Sequence, residues 1–248
     1  MTNWSNSVVP IFYYSDAKPN ERQYDGSGFF IEIDAKLVLV TCRHVIEGDS
    51  LPADAKWYIL LQETEVSIKQ FKFGGNLFIK LGKLVTGDDS YFINDYAFAP
   101  FEAKEYNITP VPLIDTNTLT KGATVTLITH TKDKMDSFEG TRINMSECLI
   151  TRHRPFSSST EIGMCNAIKL NFPTAKIEKG HSGGLIVDGN NNCVGFLASG
   201  GPNEKTKEFE VFMLKAETIV DIYQLLILDF PEIGDVISAF VKRSFNQE

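Results

Sequence analysis

The sequence predicts an all-β protein, a sandwich or barrel of short antiparallel strands. Three observations predict it. Short apolar or alternating runs recur from residue 8 to about residue 215, and Gly, Asp and Asn punctuate them. Apolar residues at helical spacing occur only near the C-terminus, so strands and helices do not alternate as a parallel α/β sheet requires.

The elements follow in order. Gly28–Ile33 and Leu37–Thr41 read as a hairpin around Asp34-Ala35-Lys36. Lys56–Leu61 is a third strand, and Val66–Phe71 alternates as a fourth. Phe78–Leu81 and Tyr96–Ala99 extend the series. After the Pro110-Val111-Pro112 connection, strands are expected at Ala123–Ile128, Cys148–Ile150, Ala167–Leu170, Leu185–Val187, Val194–Leu197 and Phe209–Met213. Ala216–Leu226 and Ile233–Val241, separated by Pro231, carry helical periodicity and are expected to pack on the strands. No repeat and no low-complexity tract interrupts this order.

Size and charge narrow the function. The 248 residues suffice for one large domain or two lobes sharing a core, and a 43% hydrophobic content is that of a globular chain. No apolar run is long enough to cross a membrane. A net charge of −8 speaks against nucleic-acid binding, which needs clustered Lys and Arg. The short basic knot Arg152-His153-Arg154 reads as a solvated loop. Cys42, Cys148, Cys165 and Cys193 are widely spaced without a Cys-x-x-Cys pair, which argues against a zinc site and for buried free thiols. The N-terminus has neither a basic nor an apolar leader region, so the expectation is a cytoplasmic protein with no membrane partner, metal or cofactor.

The chemistry centres on Gly180-His181-Ser182-Gly183-Gly184, a serine in a glycine-rich turn ahead of Leu185-Ile186-Val187. A serine hydroxyl attacks only when a base takes its proton and amide donors stabilise the oxyanion. Such a motif arises by chance in roughly one chain in 150–200, so it needs a base and an acid beside it. Of four histidines, His130 leads into the charged segment Thr131–Lys134 and reads as solvated, His153 lies in the basic knot, and His181 sits within the turn. His44 instead follows the apolar strand Leu37–Thr41, where a strand end can fix its ring. Asp95, ahead of Tyr96–Ala99, is the matching acid. A buried carboxylate there would set the tautomer of an imidazole and stabilise its cation, whereas any single Asp also serves as a turn cap.

His44, Asp95 and Ser182 occur in the chain order of chymotrypsin-type enzymes. With Gly26–Ile31, Thr41–Val45, Asn94–Ala97 and Gly180–Val187, the chain resembles the trypsin-like serine peptidases, nearer their disulfide-free branch than the secreted digestive members. The resemblance runs over about residues 8–225 and continues through Asp188-Gly189-Asn190-Asn191-Asn192 into Cys193–Phe196. It implies two six-stranded antiparallel Greek-key barrels, about residues 8–110 and 111–215, forming a peptidase domain over 1–215 with helices over 216–248. It also implies a triad of His44, Asp95 and Ser182, an oxyanion hole from the backbone N–H groups of Gly180 and Ser182, and a protein or peptide substrate.

The chain departs from that pattern at His181, where digestive members place an Asp that pairs with a newly cut N-terminus. His181 either bonds within the loop, senses pH or points away from the cleft. Val45 stands where secreted relatives have a half-cystine. By resemblance, Ala198, Ser199 and Gly200 form the edge that pairs with substrate backbone. Lys176 falls near the pocket for the substrate side chain, and Glu210 near its wall. Their opposite charges leave that specificity open. The alternative to an enzyme is a non-catalytic fold that holds a peptide in the same cleft. With no activation segment visible, the activity is expected to be controlled either by a regulatory protein partner or by disorder of the Gly180 loop.

Overall fold

The computed structural model describes residues 4–47, 51–69, 72–73, 95–102, 106–114, 123–132, 141–152, 167–172, 180–202, 209–216, 219–220 and 223–224. Thirteen strands among them fall into two groups. The first comprises β1 (Val8–Ser15), β2 (Lys18–Ile33), β3 (Lys36–Thr41), β4 (Lys56–Leu61), β5 (Thr64–Ile68), β6 (Lys72–Phe73) and β7 (Ala97–Phe101). They form one antiparallel sheet in the order β5-β4-β1-β2-β3-β7-β6. The second comprises β8 (Thr124–Lys132), β9 (Thr141–Arg152), β10 (Ala167–Phe172), β11 (Leu185–Val187), β12 (Cys193–Pro202) and β13 (Phe209–Lys215). These close into a six-stranded barrel in the order β10-β13-β12-β11-β8-β9.

The all-β expectation holds, and the barrel over 124–215 has the expected six strands. The N-terminal half differs. It is a seven-stranded sheet that does not close among the described residues, with the two-residue β6 as the outer neighbour of β7. Two residues leave no alternation in a sequence, so β6 escapes periodicity. The expected strand Phe78–Leu81, the expected helix Ile233–Val241 and Lys176 lie outside the described residues. Of the first expected helix, Ile219, Val220, Tyr223 and Gln224 are described and helical.

Turn chemistry sets the registers. Ile33 pairs with Lys36 across Asp34 (φ 51°) and Ala35 (φ 56°), and Leu61 pairs with Thr64 across Gln62 (φ 50°) and Glu63 (φ 65°). Two residues at positive φ make a primed two-residue turn, whose twist matches that of the paired strands. β2 then runs from an exposed start into the core. Its first residues are exposed, whereas Gly26–Ile31 are buried continuously. A strand buried on both faces loses its polar alternation.

The core is continuous between the two groups. Phe29 of β2 and Tyr96, just before β7, both meet Phe196 of β12, at ring-centroid distances of 5.8 and 5.2 Å. All three are fully buried, and each such side chain contributes about 2 kcal/mol or more in burial alone. Tyr223 caps the outer side of this layer with its ring 5.4 Å from that of Phe98. Cys42 and Cys193 are buried thiols with no disulfide among the described residues.

Candidate active site

Strand register creates the first half of the site. β3 and β7 pair with Thr41 opposite Ala97. Two further residues along this antiparallel register place residue 43 opposite residue 95, and the Arg43 amide does donate to the Asp95 carbonyl at 3.1 Å. There β3 turns into the single helical turn α1 (Arg43–Ile46). The turn swings His44 over Asp95. Its backbone amide donates to Asp95 Oδ1 at 3.1 Å, and its Nδ1 lies 2.8 Å from Oδ1 and 3.0 Å from Oδ2.

Because a carboxylate only accepts, Nδ1 carries the ring proton and Nε2 presents a lone pair. The Asp95 side chain is 17% exposed and that of His44 47%. Burial disfavours the charged imidazole. The Asp95 hydrogen bond and negative charge outweigh that effect, with Asp25 adding to them, and His44 titrates above the usual histidine value. A base poised this way can hold a proton taken from a hydroxyl.

Cys42 Sγ, one His44 nitrogen and an Asp95 oxygen lie within 4.8 Å of one another. Their chemistry does not suit a cation. Burial first, then the charge of Asp95, pushes the Cys42 thiol well up, and it donates to the Leu197 carbonyl at 3.1 Å. A metal-binding sulfur must be a thiolate.

Glycines and inward-turned carbonyls create the second half. Gly183 has φ +78°, and a Cβ there would stand 2.0 Å from the Ser27 carbonyl oxygen. Only glycine fits. Its amide donates to Leu197 O at 2.8 Å, which ties the turn to β12. The Ser182 carbonyl accepts from the Ser27 amide at 2.8 Å, so the serine backbone lies directly against β2. At neighbouring Gly26, an added Cβ would meet both Val45 at 2.6 Å and Ser182 O at 3.0 Å. Ser182 therefore sits beside the helical turn that carries His44. Among the described residues no hydrogen bond joins Ser182 to His44, and catalytic contacts often tighten only around substrate.

The carbonyl of His181 points inward, accepting from Gly184 N at 3.0 Å and from Thr129 Oγ1 at 3.4 Å. No peptide bond is cis among the described residues, so the Ser182 N–H, in the same peptide plane, points the opposite way. The side chain of His181 is itself buried, at 4% exposure. His130 corrects an expectation. It is not solvated but 8% exposed, with Nε2 3.1 Å from Val8 O. Thr129 pairs into β8 beside β9, and the strand runs past the expected end at Ile128 to Lys132, drawing His130 into the interior. Burial lowers its pKa to about 4.

Around this histidine lies a polar cluster that sequence reasoning missed. Tyr24 Oη lies 2.9 Å from Gly180 O, 2.7 Å from His130 O and 3.1 Å from Ser27 Oγ. Ser27 Oγ is 2.8 Å from Thr129 Oγ1 and accepts from the His130 amide at 3.1 Å. The only available signal was the position of Tyr24 just ahead of Gly26-Ser27-Gly28.

Among the residues expected to hold substrate, Ala198, Ser199 and Gly200 lie in β12. Ser199 and Gly200 pair with Phe212 and Val211 of β13. β11 reaches only as far as Phe196, so among the described residues no strand covers the other edge of 198–200. Glu210 lies opposite Gly201 across the β12–β13 ladder.

Residues 26–196 match the family of trypsin-like peptidase domains, well over half of the 248-residue chain. Among curated proteins no sequence matches significantly. Among solved structures the chain is similar to the HtrA-type protease AlgW with a decapeptide, at a TM-score of 0.58 and 13% identity over 90% of this chain and 65% of that one. It is also similar to Deg5, at a TM-score of 0.56 and 21% identity over 90% of each chain. The Rv3671c protease of M. tuberculosis in an inactive form gives 0.57 and 16%, again over 90% of each chain. The chain spans 60–65% of the length of the AlgW chains it matches. At these identities the likeness concerns the fold. On the family match and the shared fold together, the chain belongs to the trypsin-like serine peptidases.

Proposed function

We propose that the chain is a serine endopeptidase with His44 as base, Asp95 as its orienting acid and Ser182 as nucleophile. The observation that carries this reading is the His44–Asp95 pair, 2.8 Å apart, beside the backbone of Ser182. His44 Nε2 takes the hydroxyl proton as Ser182 Oγ bonds to the scissile carbonyl carbon. The C–N bond then breaks, His44 returns that proton to the leaving amine, and an acyl-enzyme remains. Water, deprotonated by His44, releases the acid and restores the serine. The N–H groups of Ser182 and Gly180 hold the oxyanion, each donor worth about 10²–10³ in rate. The outward direction of the Ser182 amide supports its share of this role.

Substrate binds as an added strand on the open edge at Ala198–Gly200, consistent with the decapeptide in the structure of AlgW. The test is covalent labelling with a fluorophosphonate probe. Labelling is expected in the native chain, none in Ser182→Ala, and at least a hundredfold slower labelling in His44→Ala. A well-folded native chain that binds peptide equally with or without the Ser182 hydroxyl, and is never labelled, would instead be a binding module.

A further inference from the structure

We infer that Tyr24 is a positioning residue for the oxyanion hole, holding Gly180 in place through the hydrogen bond of its hydroxyl to the Gly180 carbonyl. This rests on the proposed peptidase mechanism. Gly180 has φ +98°, and a Cβ there would come within 2.5 Å of the Tyr24 ring edge. The ring edge therefore packs directly against Gly180. With one rotatable single bond on each side of its α-carbon, a glycine at positive φ has no side chain to hold it, and the loop needs an outside anchor.

The anchor is directional. Tyr24 O–H is shared between Gly180 O at 2.9 Å and His130 O at 2.7 Å. The His130 amide donates to Ser27 Oγ, Ser27 Oγ–H can donate to Thr129 Oγ1, and Thr129 Oγ1–H reaches the His181 carbonyl. One chain of hydrogen bonds thus ends on both carbonyls that precede the nucleophile. The carbonyl of Ser182 completes the set through Ser27 N. Three successive carbonyls are drawn into the protein, and the amide of Ser182 is turned out. Burial raises the Tyr24 pKa above its usual value, so the phenol keeps its proton and remains a donor. Preorganised amides stabilise an oxyanion because they need not reorient when charge develops. Without the Tyr24 anchor, Gly180 regains that freedom.

Tyr24→Phe removes the hydroxyl and keeps the ring against Gly180. The expected result is a fall in kcat of about 10- to 100-fold, less than the loss of a whole donor, with KM changed less than about twofold. A peptide aldehyde gives the second readout. Ser182 Oγ adds to the aldehyde carbon, His44 takes and keeps the hydroxyl proton, and the former carbonyl oxygen, now an alkoxide, occupies the oxyanion hole. Its affinity is expected to fall by a similar factor to kcat, while a non-covalent product peptide binds as before. A purely structural role would lower the melting temperature without this split. If Tyr24→Phe does not fold, Ser27→Ala, which breaks the chain between His130 and Thr129, is expected to show the same split at smaller size. Native kcat and aldehyde affinity in a folded variant would overturn the inference. Failure of the native chain to be labelled by fluorophosphonate would instead overturn the peptidase reading itself.

Discussion

His44 and Ser182 are held by different physics. His44 and Asp95 lie three and two residues beyond the end of a strand ladder, so the β3–β7 register that builds the core also aligns the pair. Many cooperative hydrogen bonds fix that register, and a slip would turn every apolar side chain outward. Ser182 lies in a turn with no ladder of its own. Its place depends on Gly183 at positive φ, on Ser27 N and on the hydroxyls of Tyr24 and Thr129. The proposed base is secured by the fold, whereas the proposed nucleophile is secured by a few local contacts. Point changes should therefore separate the two halves.

The largest effect is expected at Asp95, where geometry is robust and chemistry is not. Asp95→Asn keeps a side chain of the same shape but offers an amide to His44 Nδ1, favouring the wrong tautomer. In triads of this kind the loss in kcat is about 10⁴, roughly 5.5 kcal/mol. Native His44 titrates above the usual value, so the acid limb of kcat/KM should have its midpoint above 6.5. Both effects of Asp95 that raise it vanish in the variant, burial remains, and that midpoint should move down. Steady-state kinetics across pH 5–9 measures both. An unchanged midpoint would mean that the pair does not govern the base.

A smaller but still large effect is expected at Gly183, where geometry fails first. Gly183→Ala combines left-handed strain with a Cβ overlapping the Ser27 carbonyl, together on the order of 4 kcal/mol. Gly189→Ala is the matched control, because nothing lies within 4 Å of its added Cβ, and about 0.5 kcal/mol or less is expected there. Urea unfolding gives the stability difference. Loss of fluorophosphonate labelling in folded Gly183→Ala, with the His44–Asp95 proton still visible by NMR, would show that the two halves come apart. Equal stability for the two variants would remove the contrast.

Much of this contrast was legible in the sequence. Lys56–Leu61 and Leu185–Val187 have the bounds expected from sequence because each apolar run stops at polar residues, Gln62-Glu63 and Asp188. His44 and Asp95 stand out in the sequence because strand ends are visible as the edge of an apolar run, and the structure brings their side chains together. What periodicity could not show is contact between distant polar residues. Tyr24 and Thr129 sit in strands as ordinary polar or aromatic residues, and their meeting depends on how the sheet faces the barrel. His130 was misread for a similar reason. The charged residues after it mark the end of a strand in sequence, but β8 continues to Lys132 and its pairing with β9 holds His130 inside.

The two histidines give the comparison its last test, because they respond to acid with opposite signs. His44 has a raised pKa, so its pairing with Asp95 contributes most stability below 6.5 and loses it as pH rises through the folded value. His130 has its pKa lowered to about 4. Above 6.5 it is neutral in both folded and unfolded chains. Between 6.5 and 4 only the unfolded chain takes the proton, so stability falls with acid by about 3 kcal/mol in all. The cause is local. Nε2 already faces Val8 O, and Nδ1 is buried with no hydrogen-bond partner among the described residues, so a second ring proton would be stranded. His130→Gln keeps a donor for Val8 O and has no proton to gain. Unfolding free energies at pH 7 and pH 4 should differ by about 3 kcal/mol more in the native chain than in this variant. If the two chains lose stability in parallel, His130 is not the acid-sensitive point of the serine half. If they diverge as expected, acid loosens the cradle of Ser182 while tightening the pair at His44.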